Sequence, residues 1–290
     1  MCSRLALCLV PLLFAAQAPG ANAAPPAPAE QAADKPLPTD VAPEADPLLL
    51  ADSALHGRRH FEAEAYLERL AADPRPEALL LRAELALLSG RPRETIALLD
   101  RLDADPSLLC RAGTAAAMAL LQLGEADQAK ARSDALGDSC SHDAFFWRAQ
   151  GRIAHARGDV GAAVAAFREA LALHPSDDGT ENDLAVSLIA AGDAEQASRL
   201  LSALRQRAPE AADVSLNLDF ANAMRGIEPE RRQQDDDQMW SLRLQFAGQG
   251  ARQASRQKLA ESLFARALLN RPRYDQGLWQ QYAEVVGRDD

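Results

Sequence analysis

His56 and His60 stand four residues apart, a spacing that on a helix would set two imidazoles on one face and could hold a metal ion. Gly57 falls between them in an expected turn, and no Glu follows His56 as a metalloprotease helix would require. Asp235, Asp236 and Asp237 are consecutive, so a helix would point them in different directions; they read as a solvated charge run. His142, His155 and His174 are isolated and read as surface or packing residues. The chain has no G-x-S-x-G elbow, no Gly-rich phosphate loop and no Ca²⁺ loop pattern. A hydrolase hidden in 226–290 would have only Trp240, the three aspartates and Tyr274, without a nucleophile–base pair. With no convergent set of titratable groups, neither catalysis nor a metal or other cofactor is expected.

What the sequence specifies is helix. Of 290 residues 48% are hydrophobic, yet only 8 Val, 4 Ile, 4 Thr, 8 Phe, 3 Tyr and 3 Trp could favour strands. Ala and Leu dominate, with Arg, Glu and Gln between them, which are good helix formers. The fold class is all-α. A net charge of −11 without a basic block disfavours nucleic acid as a partner.

Residues 1–23 have the three parts of a secretory signal: Arg4, an apolar run from Leu5 to Ala16, and Ala21-Asn22-Ala23 as a cleavage site. The run is shorter than the roughly 20 apolar residues of a spanning helix, so no membrane span is expected. Cys8 follows Leu7, which is too large for a lipid-attachment site, and comes too early. Cleavage after Ala23 and a periplasmic location are the expectation. Residues 24–47 hold seven of the 17 prolines and read as an Ala/Pro-rich disordered linker.

Gly90, Gly124, Gly158, Gly192 and Gly226 are evenly spaced by 34 residues. Each of the first four separates two helical patterns, where a glycine can end one helix in a left-handed cap and reverse the chain. The block 144–177 carries the fullest pattern, with Trp147, Gly151, Gly158, Ala163, Phe167, Ala170 and Pro175. Block 178–211 repeats it through Leu184, Ala185, Leu188, Gly192, Ala197, Leu201 and Pro209, and 76–109 and 110–143 follow more weakly. This pattern resembles the tetratricopeptide repeat, a helix–turn–helix unit of that period. The resemblance implies a right-handed superhelical solenoid with a C-terminal capping helix. It divides the chain into an array at 48–225 of about five repeats, an irregular charged insertion at 226–243, and a degenerate repeat with its cap at 244–287.

In that family the first helix of each repeat lines a concave groove that grips a peptide segment. Carried over residue by residue, the groove positions are Arg111, Met118, Phe145, Arg148, Arg152, His155, Asn182, Val186, Phe220 and Met224. The set implies a protein partner whose segment offers apolar anchors and a carboxylate. The arginines have a second available use, pairing acids on neighbouring helices, and Met and Phe a second place, in the core. The Lys/Asn pattern by which some members clamp a C-terminal carboxylate is not matched.

Cys110 is first in its repeat and Cys140 thirty-first, which places them side by side in an antiparallel helix pair. In an oxidising compartment they are expected to form a disulfide, the alternative being two free thiols. The helix starts Asn182-Asp183-Leu184-Ala185 and Asn217-Leu218, with the export signal, are similar to tetratricopeptide proteins of tight-adherence pilus assembly. The resemblance therefore implies a non-catalytic periplasmic adaptor for pilus or secretion-system assembly, with envelope assembly components as partners. A scaffold for cell-wall or exopolysaccharide synthesis enzymes is the alternative.

Overall fold

A computed structural model describes residues 45–57, 59–102 and 107–287. The expected signal and nearly all of the expected linker lie outside them. The described residues form fourteen α-helices and one short 3-10 turn, with no strand among them. In order the helices are α1 (Pro47–His56), α2 (His60–Arg69), α3 (Pro76–Leu88), α4 (Pro92–Leu99), α5 (Leu109–Gln122), α6 (Ala126–Asp134) and α7 (Ala144–Ala156). They continue with α8 (Val160–Leu173), α9 (Asp178–Ala190), α10 (Ala194–Arg207), α11 (Ala212–Met224), α12 (Asp237–Gln253), α13 (Gln257–Asn270) and α14 (Gln276–Val286). The 3-10 turn, Gly137–Cys140, follows α6. Packing is between neighbours in sequence, as a helical solenoid requires.

The punctuation is local chemistry. Proline opens α1, α3 and α4, where its missing N–H costs nothing. Aspartates cap α1, α7, α8, α9, α10, α12 and α14 by accepting hydrogen bonds from first-turn N–H groups. The five periodic glycines all have positive φ, from 70° at Gly90 to 87° at Gly226, and so supply the left-handed caps.

Five helix pairs, α1/α2 through α9/α10, stack in this way, and then the order breaks. After α11 the chain runs without helix through residues 225–236, and α12 packs directly along α11. The backbones are so close that a Cβ on Gly250 would overlap the Phe220 carbonyl. Beyond this slip the register resumes. Leu244, Gly248, Ser255, Ala260, Phe264, Ala267 and Pro272 keep the mutual intervals of Trp147, Gly151, Gly158, Ala163, Phe167, Ala170 and Pro175. Ser255 takes the turn-glycine place and adopts its conformation, φ 57°, alone among the described non-glycine residues. α12 is therefore a first helix that follows another first helix. The expected insertion at 226–243 is correspondingly shorter: 237–243 are the opening turns of α12, capped by Asp236.

Candidate functional site

The first helices α1, α3, α5, α7, α9, α11, α12 and α14 lie side by side, joined by side-chain bonds between helices. Arg111 of α5 reaches Glu84 of α3 (2.5 Å) and Asp52 of α1 (2.6 Å), tying three helices together. Arg148 and Arg152 of α7 both donate from Nε to Oδ2 of Asp183 on α9, at 3.0 and 2.7 Å. Nη1 of Arg148 also reaches Asp177, 3.3 Å away. His155 Nδ1 shares a hydrogen bond with Ser187 Oγ at 2.9 Å, and Asn217 Nδ2 donates to Asn182 Oδ1 at 3.0 Å. Farther along, Gln245 and Gln249 of α12 both donate to Gln281 of α14.

Charge in this row is balanced within the chain. Burial works to raise the Asp177 pKa, but the Arg148 charge, the Thr180 hydroxyl and the N–H groups of Thr180 and Gly179 outweigh it, holding the carboxyl below the usual range. Burial lowers the His155 pKa more than Asp183 raises it, which favours the neutral imidazole. A carboxylate brought by a partner would have to compete with Asp183 for the guanidiniums of Arg148 and Arg152.

The sequence-predicted groove residues separate into three groups. Arg111, Arg148, Arg152, His155 and Asn182 lie on the row of first helices, half-buried and engaged as described. Phe145 is 38% exposed, and Val186 and Met224 are half-buried. Met118 and Phe220 are not groove residues. Met118, 6% exposed, packs in a cluster with Leu87, Ala115, Ala119 and Ala149, because α3, α5 and α7 approach closely there. Phe220, 7% exposed, sits in the α8–α11 core, with α12 crowding its backbone. Cys110 and Cys140 form a disulfide that ties the start of α5 to the end of the 3-10 turn.

A buried charge cluster joins α11 to α12. Arg243 of α12, 2% exposed, is held between Asp219 of α11 (2.7 Å) and Asp235 of the connecting segment (2.5 Å). It also donates to the Glu230 carbonyl and lies over the Trp240 ring, with its guanidinium carbon 5.5 Å from the centroid. Asp235 is thus no part of a solvated run; its carboxylate accepts from Arg243 and from the Arg232 N–H. The cluster pins the non-helical segment where a second helix would otherwise pack. The sequence signal was the lost 34-residue register itself, which marks the place without naming the partners.

Among the described residues no group of three or more His, Cys, Asp or Glu could hold a metal ion. No described helix is long and apolar enough to cross a membrane. Residues 125–234 match the family described as "Tetratricopeptide repeat". No curated protein matches the chain. Among solved structures, the chain is similar to one in the crystal structure of the APC/C hetero-tetramer Cut9–Hcn1, with 14% identity and a TM-score of 0.57 over 84% of this chain. This chain spans about half (49%) of the length of that one, and the likeness is one of fold. A tetratricopeptide repeat protein from Parabacteroides merdae ATCC 43184 is 12% identical over 83% of this chain and 97% of its own, with a TM-score of 0.47.

Proposed function

We propose, from a chain that carries tetratricopeptide repeats, that it is a non-catalytic scaffold whose row of first helices receives an extended segment of a partner protein. The observation that carries this reading is the row itself: eight first helices side by side, cross-tied from Asp52 to Glu284, with Phe145 exposed among them. The ties fix the face before a partner arrives, which lowers the ordering cost of binding. Phe145 offers an apolar anchor.

The finer setting rests on the N-terminal sequence. Arg4, the apolar run and Ala21-Asn22-Ala23 support export with cleavage after Ala23, and so a periplasmic location. The similarity of the helix starts at Asn182 and Asn217 supports work in pilus or secretion-system assembly of the tight-adherence type. Co-purification from crosslinked cells tests the reading, comparing wild type with Phe145→Glu. Partners lost from the variant support it; partners unchanged by the variant place binding elsewhere. N-terminal sequencing of the mature protein tests export, and a chain still beginning at Met1 contradicts it.

A further inference from the structure

The third repeat, residues 110–143, is built differently from its neighbours. At the register position filled by Leu99, Phe167, Leu201 and, past the slip, Phe264, it carries Ser133. A serine cannot fill the space of a phenylalanine, and a cleft of about 210 Å³ opens there between α6, the 3-10 turn and α7. Phe146, Trp147 and Gln150 of α7 line one side of it, Asp134 and Asp138 the other. Ser133 is fully buried at the lining, and its Oγ has no hydrogen-bond partner among the described residues.

We propose that this cleft is a binding site for a guanidinium group, the arginine side chain of a partner protein. Both charged residues that line it are carboxylates. Asp134 is already paired with Lys130 at 2.5 Å, whereas Asp138 has no ion pair among the described residues. The Trp147 indole N–H is spent on the Ser141 carbonyl (2.8 Å), which fixes its ring as a wall of the cleft. A planar cation uses all three features: stacking on an aromatic ring, donating a fork of N–H groups to a carboxylate, and satisfying a buried hydroxyl acceptor. A neutral side chain of the same length would leave Asp138 and the Ser133 Oγ as they are. The wall carrying Asp138 is the turn Gly137–Cys140, held to α5 by the Cys110–Cys140 disulfide, so the site is formed before the ligand arrives.

The cleft is separate from the row of Arg111, Arg148 and Asp183, and it would read a positive rather than a negative group. The protein-scaffold reading enters only as the source of the arginine. The test uses N-acetyl-arginine methylamide as a probe, with N-acetyl-norleucine methylamide as its neutral counterpart. The indole N–H resonances of Trp147, Trp240 and Trp279 are followed by NMR in the full, oxidised chain. The expected result is a saturable shift of Trp147 alone, produced by the arginine probe and not by the norleucine one. Asp138→Asn should weaken binding about tenfold, and Ser133→Phe, which fills the cleft, should abolish it. The proposal is overturned if Trp147 shows no saturable shift, if norleucine shifts it equally, or if Asp138→Asn leaves the arginine titration unchanged. None of these results depends on the partner co-purification, so the two readings fail separately.

Discussion

The Nε of Arg243 lies 2.7 Å from Oδ2 of Asp219, and both side chains are buried where α11 meets α12. That contact stands where the repeat order breaks. Elsewhere a first helix is followed by its second helix; here a first helix is followed by another, and an ion pair with Asp235 as its third member closes the joint.

Removing one member of the cluster should leave a buried charge stranded. Asp219→Ala is expected to cost about 3–5 kcal/mol in urea unfolding. Asp236→Ala, which removes only the α12 cap, should cost about 1 kcal/mol. Equal and small losses in both would show that the joint does not depend on the buried pair.

Ser255 holds the left-handed conformation that Gly90, Gly124, Gly158 and Gly192 take at the turns of four other repeats. Ser255→Gly should therefore stabilise the chain by about 1 kcal/mol, and Gly158→Ala should destabilise it by about as much. Thermal unfolding of the two variants would show shifts of opposite sign.

The Cys110–Cys140 disulfide closes a separation of 30 residues. Reduction should lower stability by about 2–4 kcal/mol, and the Cys110→Ser/Cys140→Ser variant should match the reduced wild type. Two alkylated cysteines without reductant would contradict the pairing.

Asp177 and His155 on the first-helix row both add to the pH dependence of stability. Asp177 has a folded pKa lowered below 3.8, so near that pH the unfolded chain binds more protons. Its contribution is present above pH 3.8 and is lost as pH falls through the folded value. His155 is likewise lowered, from 6.5, so its contribution is present above pH 6.5 and declines below it. Asp177→Asn should reduce the acid component of the stability–pH curve, to which the lowered carboxyls of Asp46 and Asp73 also contribute, and His155→Gln should reduce the component just below pH 6.5.

The helix pairs were readable because they depend on local chemistry: a glycine for the left-handed turn, small residues where helices touch, an aspartate capping half of the helices. Gly158 and Asp159 specify their turn within a few residues. The face was harder to read. Whether Arg148 reaches outward or back to Asp183 depends on how far α7 sits from α9, a property of the stacking rather than of either helix. Met118 and Phe220 occupy groove register but are buried, because α5 and α11 are crowded by the next first helix. The pairing of Arg243 needed the register slip to be solved first. Ser133 was visible as a departure from the repeat pattern, yet only the packing shows that no other side chain fills the space.

Reception of a partner by the row of first helices can be tested in cells. The most direct measurement is crosslinked co-purification with wild type, Phe145→Glu and a control, Arg168→Glu, on the second helix α8. Phe145 and Arg168 are both exposed, so neither change should disturb the core. The expected result is that partners are retained by the control and lost from Phe145→Glu. Partners retained by Phe145→Glu and lost from Arg168→Glu would contradict it and move binding to the second helices.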